Sequence, residues 1–266
     1  MKKFLWYFSV TLLAIIFMFP FVWMLLTALK EPGTALVLSL PKKLTLYNFK
    51  KVLFEFGFSR FFLNSLIVAL SSATVSTLFA SLAAFAFAKK SFFMKEYLFW
   101  LFIASMMVPG LLYVIPQFLI VYKLGWINTY WGMIVPHLAN VFGLFLITQF
   151  MRQVPDSLLE SARIDGASEF KIWWRIMVPL AFPIVATVFL LNFQFHWSNF
   201  LWQLIVAQSE EMYTVPVGLA MFKSAHEEAY TLEMAASSVS IVPISLLFIF
   251  AQRYFIEGIT QGAVKG

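Results

Sequence analysis

Glu160 and Asp165 stand in a hydrophilic island, from Arg152 to Pro179, that reads RQVPDSLLESARIDGASEFKIWWRIMVP. Four acids (Asp156, Glu160, Asp165, Glu169) and four bases (Arg152, Arg163, Lys171, Arg175) are gathered there between two long uncharged runs. Carboxylates set among the small Ala162, Gly166 and Ala167 give a basic partner charge-assisted anchors and let it approach the backbone closely. That is recognition chemistry, not turnover. The chain has no cysteine, which excludes disulfides, thiolate metal sites and a cysteine nucleophile. It has no GxxxxGK[ST] loop to cradle a nucleotide, and His226-Glu227-Glu228 lacks the second histidine of HExxH and reads as a solvated charge cluster. No metal site is expected. Ser and Thr are plentiful in the second apolar run without an acid or base beside them, so intramembrane nucleophilic catalysis has no support.

The island carries its own structural signals. Pro155 and Asp156 interrupt the preceding run, and Ser157 and Glu160, three apart, form a capping box for a short helix. Gly166 ends that helix, because a residue free to take positive φ lets the chain turn sharply. Ser168 caps a second helix, Glu169 to Met177, stopping ahead of Pro179. Two short helices at an angle present Glu160, Ala162 and Asp165 to the partner. Trp173 and Trp174 suit a lipid headgroup boundary.

Around the island the chain is greasy: 61% of residues are hydrophobic, 12% charged, 32 are Phe, and the mean hydropathy is +0.84. Soluble domains lie nearer half and a quarter, so this is an all-α integral membrane protein. A membrane helix needs roughly 20 apolar residues, and six uncharged runs qualify, approximately 4–29, 62–88, 97–121, 131–151, 183–207 and 234–252. Alternating ten-residue barrel patterns are absent, so the spans are helices. The first run follows Lys2 and Lys3 as a signal peptide would, but is too long and is read as a retained span. The net charge of +6 comes without a basic run interleaved with aromatics, so it reflects membrane topology rather than nucleic acid. Placing both termini in the cytoplasm puts eleven of the nineteen Lys and Arg inside, and the island with them. The spans hold no Asp, Glu, Lys or Arg for relaying a coupling ion. Uphill transport would take its energy from another subunit.

Glu160-Ser161-Ala162, Asp165-Gly166-Ala167 and Val178-Pro179-Leu180 resemble the EAA loop of binding-protein-dependent ABC importer permeases, loosely EAAxxDGA with a trailing LP. Ser161 stands where alanine is usual, a small-for-small change, and Val178 precedes the proline. The likeness is closest to the sugar-uptake permeases, in particular the smaller six-span subunit similar to the maltose transporter's. Asn64-Ser65-Leu66, Leu124-Gly125-Trp126-Ile127-Asn128-Thr129-Tyr130 and the tail from Gly258 to Gly266 extend it over nearly the whole chain. The resemblance implies a type I ABC importer permease fold in one domain, 1–266, with a cytoplasmic coupling-helix loop, 152–180, between spans 4 and 5. It implies a bacterial or archaeal cytoplasmic (inner) membrane location. It also implies three partners: a second homologous permease subunit, an ABC ATPase dimer, and an extracytoplasmic solute-binding protein. ATP and Mg belong to the ATPase, so this chain binds no cofactor and is not an enzyme. Glu160, Ser161, Ala162, Asp165, Gly166 and Ala167 would seat in a groove of the ATPase.

Substrate handling is read from the fifth run, where Gln194, His196, Trp197 and Asn199 mix amide, imidazole and indole groups. Aromatic faces stack on sugar rings and amides take hydroxyls. Interfacial packing explains the same residues equally well. Relatives often carry Trp-Asn-Glu-Phe where this chain has Trp197-Ser198-Asn199-Phe200, so a carboxylate is missing. Similar permeases reach into the binding protein with an external loop, which makes Val215, Pro216, Val217 and Gly218 candidates for that contact; a plain connecting hairpin is the alternative. The sequence names no sugar. Permeases for glycerol-phosphate or another small polar solute look alike, and an ion-coupled secondary carrier, the reading from another class, is opposed by the charge-free spans.

Overall fold

A computed structural model describes residues 2–32, 40–41, 43–225 and 230–263. The His226-Glu227-Glu228 cluster and the end of the tail lie outside these residues. Every regular element among those described is helical. Three helices are long and apolar enough to cross a membrane: α1 (Lys2–Ala28), α3 (Phe58–Lys89) and the membrane-length part, Tyr230–Phe250, of α14 (Tyr230–Ala263). The number reaches six if each of three sharply bent helix pairs counts as one span.

The third, fourth and fifth apolar runs are not the single helices expected, and proline explains the breaks inside the third and fourth. In the third, α4 (Lys95–Ser105) meets Gly110–Lys123, which contains α5 (Val114–Lys123), at 92°. Pro109 has no N–H to offer the helix and sits in extended backbone at the corner. In the fourth, α6 (Tyr130–Ile134) and the turn Val135–His137 are bent 44° from α7 (Val141–Arg152). Pro136 ends the first half, and Asn140 starts the second by accepting the Gly143 N–H at 2.6 Å. Just ahead of the fifth, α9 (Glu169–Ile172), a π turn (Trp173–Met177) and α10 (Val178–Leu180) are bent 84° from α11 (Phe182–Trp197). The second island helix therefore does not stop ahead of Pro179. The π turn shifts the hydrogen-bond register just where Pro179 brings no N–H, and the helical path continues to Leu180. The fifth run itself breaks after Trp197, at Ser198-Asn199-Phe200 without a proline, and resumes as α12 (Leu201–Val206).

The chain groups into two compact units, each discontinuous in sequence: Met1–Asn64 with Tyr213–Pro243, and Ser65–Met212 with Ile244–Gly266. In the first unit, α2 (Tyr47–Lys50) holds the end of α1. Asn48 donates to the carbonyls of Ala28 (2.8 Å) and Lys30 (2.7 Å), partners that a helix end otherwise lacks. In the second unit the core joins Ala80, Ala84 and Phe87 of α3 to Phe99, to Leu144, Ile147 and Met151 of α7, and to Ile184 and Val188 of α11. Small residues on α3 let its neighbours close in. The same core continues into the island through Leu159, Ile172 and Trp173.

Candidate functional site

The island folds as α8 (Asp156–Ile164), a turn, and α9. The expected capping box does not form. Pro155, extended at φ −61°, ψ 135°, is the N-cap, so the helix starts two residues early with Asp156 in its first turn. A carboxylate there suits the positive helix end. Ser161 Oγ donates back to the Ser157 carbonyl at 2.9 Å. The other end follows expectation: Gly166 takes φ +78°, its N–H reaches the Arg163 carbonyl (3.0 Å), and the Ala167 N–H reaches that of Ala162 (2.9 Å). These bonds satisfy carbonyls the helix leaves free. Ser168 then caps α9 by accepting the Lys171 N–H at 3.4 Å.

Of the six residues expected to face a partner, Glu160, Ser161, Asp165 and Gly166 are exposed. Ala162 and Ala167 are half-buried and pack on the core. Ala162 lies three residues from the buried Leu159 and shares its face, which corrects the expectation that it points outward. Ile164, not anticipated, is 87% exposed between Arg163 and Asp165, and Leu158 is half-exposed. The signal for Ile164 was present: its neighbours three and four positions back are Ser161 and Glu160, so it belongs to the polar face.

Ion pairs fix the island to the ends of the spans. Lys89 Nζ donates to the Val154 carbonyl at 2.5 Å and to Asp156 Oδ1 at 2.7 Å. Lys90 pairs with Glu169, which also accepts from Arg163 Nε at 3.0 Å. Arg152 Nη2 lies 3.6 Å from Glu96 Oε1, and its guanidinium Cζ sits 4.8 Å over the Phe99 ring. The Lys89 hydrogen bond and charge hold the Asp156 carboxyl below its usual range. For Glu169 the hydrogen bond from Lys90 leads, joined by that from Arg163, and outweighs an opposing loss of solvent. Nothing in the local sequence marks either lysine as part of the site, because their partners lie more than 60 residues away.

The other two candidate groups do not form common surfaces. On α11, Gln194 is exposed, whereas His196 and Trp197 are buried. Trp197 stacks on Phe193 at 5.7 Å, and His196 lies edge-on to His137 at 6.0 Å. Asn199 Oδ1 accepts the Trp202 N–H at 3.3 Å and serves the start of α12. None of the four lines the open cavity of about 510 Å³ beside the broken fourth run, whose walls include Phe79, Phe87, Phe102, Leu138 and Asn140. Beside it runs a polar chain missed in the sequence: Asn140 donates to Asn192, and Asn192 to Thr77 Oγ1 at 3.1 Å. Val215 to Gly218 are not an open loop. They begin α13 (Val215–Ala225), with Val215, Val217 and Gly218 buried. Gly218 is there for space, since a Cβ on it would lie 2.2 Å from the Phe61 ring.

Residues 76–261 match the family described as "Binding-protein-dependent transport system inner membrane component". The chain is similar to the arabinooligosaccharides transport system permease protein AraQ of Halalkalibacterium halodurans, at 37% identity over 90% of this chain and 86% of that protein. It is 34% identical to the trehalose/maltose transport system permease protein MalG of Thermococcus litoralis, over 100% of this chain and 98% of the relative. A solved chain of a bacterial ABC transporter that imports the acidic polysaccharide alginate superposes with a TM-score of 0.84, 21% identity and 96% of each chain covered, a likeness of fold.

Proposed function

Since the chain belongs to the family of binding-protein-dependent transport system inner membrane components, we propose that it is the membrane-spanning permease subunit of an ATP-driven ABC importer for a carbohydrate. The observation that carries the sugar reading is near full-length similarity to permeases named for arabinooligosaccharides and for trehalose/maltose. A solute-binding protein outside the membrane delivers the sugar, a second permease subunit completes the pathway, and a separate ATPase dimer supplies the energy. Both termini and the island face the cytoplasm of a multi-pass inner-membrane protein.

The coupling surface is the outward side of α8. Ile164 supplies an apolar centre, and Glu160, Arg163 and Asp165 supply a charged rim, the arrangement in which one buried anchor carries most of the affinity. Seated in a groove of the ATPase, α8 would follow dimerisation of the nucleotide-bound ATPases, and the spans would turn from one side of the membrane to the other. A near-complete switch requires the ATP state to favour one permease conformation by about 5.5 kcal/mol. All chemistry stays on the partner, and this chain acts as a lever.

The test is reconstitution of the complex in vesicles with ATP inside or outside and labelled maltose or an arabinooligosaccharide as probe. Uptake that requires both ATP and binding protein supports the reading, and uptake driven by an ion gradient without ATP sinks it. Replacing Ile164 with Asp is expected to cost about 2 kcal/mol of docking, roughly 30-fold in ATPase affinity. Unchanged co-purification of the ATPase would remove α8 from the interface.

A further inference from the structure

Lys89 and Lys90 close α3 and lie outside the exposed face of the island, yet each holds one of its two helices. Lys89 has the firmer grip. Its side chain is only 4% exposed, and its ammonium reaches both the Val154 carbonyl, just before α8, and the Asp156 carboxylate in the first turn of α8. Lys90 reaches Glu169 in the first turn of α9, and Arg163 at the far end of α8 meets the same carboxylate. Carboxylates at helix starts and cations at a helix end are the favourable arrangement for all three dipoles. A buried ammonium that loses its partners keeps an uncompensated charge, so this contact resists opening. By contrast the Arg152 ion pair, to Glu96, joins the end of α7 to α4.

We infer that Lys89 and Lys90 form a two-pronged clamp that makes α8 and α3 move as one body, so that Lys89 is a positioning residue that hands the motion of α8 to the membrane. The inference rests on the coupling role proposed for α8. The clamp itself is measurable without it. Because the chain has no cysteine, Thr74→Cys on α3 and Ser157→Cys on α8, both exposed, accept spin labels in the assembled transporter in lipid vesicles. With Lys89 present, one narrow label-to-label distance is expected, the same without nucleotide and with ATP bound. Lys89→Met is expected to lose that single distance while the ATPase still co-purifies at the wild-type level, and Lys89→Arg to restore it. Asp156→Lys, at a side chain 73% exposed, sets a second cation against Lys89 and opens the same prong from the water side should Lys89→Met fail to fold. A narrow distance in Lys89→Met and in Asp156→Lys, or a distance in the parent that shifts on adding ATP, overturns the clamp. Absence of the ATPase from the parent complex would instead defeat the coupling role, leaving the nucleotide-free distance to judge the clamp alone.

Discussion

The island and α13 are two segments that the sequence presented as contact surfaces, and they are built in opposite ways. The island turns Glu160, Ser161, Ile164 and Asp165 outward and is held from beneath by ion pairs and by Leu159, Ile172 and Trp173. In α13, Val215, Val217 and Gly218 turn inward, and Phe222 joins Phe56 and Phe58 in an aromatic cluster. The glycines divide the two cases. Gly166 has positive φ and open space around its missing side chain, whereas Gly218 has ordinary backbone and a ring against it. One glycine serves the backbone and the other serves packing, so a surface segment and a scaffold segment leave the same letter in the sequence.

Substitutions that separate backbone from space test the contrast most strongly. Gly218→Val forces a side chain into Phe61 and is expected to destabilise the detergent-solubilised protein by on the order of 3 kcal/mol, read as a fall in thermal midpoint. A Cβ at Gly166 meets no atom, so the expected cost of Gly166→Val is that of the left-handed backbone, about 2 kcal/mol, whereas Gly166→Asn should cost only tenths because Asn tolerates that region. If Gly166→Asn proves as harmful as Gly166→Val, space rather than φ governs the turn.

Acid distinguishes the two segments next. Asp156 and Glu169 are held below their usual carboxyl range in the folded chain, so the unfolded chain takes up their protons first. Their contribution is complete above the ordinary carboxylate range and is lost as pH falls through the depressed folded values. Hydrogen exchange at α8 and α9 should accelerate there, while α13, held by rings, should not respond. The smallest effect belongs to Ser161→Ala. Its hydroxyl bonds only the Ser157 carbonyl of its own helix, so a stability change within about 0.5 kcal/mol is expected, with ATPase docking unchanged.

Local signals carried much of this from sequence. The charge-free runs, the turn at Gly166 and the cap at Ser168 each depend on residues within a few positions, and each is found where those residues stand. What failed was either geometrically ambiguous or distant. Ser157 and Glu160 fit a capping box, but the fixed φ of Pro155 started the helix earlier. Uncharged length located the third run without revealing that Pro109 turns it by 92°. Lys89 and Asp156 are 67 residues apart, and no local period connects them. His196 and Trp197 have the composition of a sugar path and the burial of packing residues, a distinction made only by their neighbours.

The shared core beneath the island also orders the chain's biogenesis. Leu159, Ile172 and Trp173 are buried among residues of α3, α4, α7 and α11, which are synthesised before and after them. Each such side chain is worth about 2 kcal/mol only once its neighbours are in place. The face that α8 turns outward is therefore a late product of assembly, finished after the span following it has entered the membrane. In a truncated or wrongly inserted chain the α8 face would lack that support, so the partner docking proposed there would double as a check that the spans around it have folded.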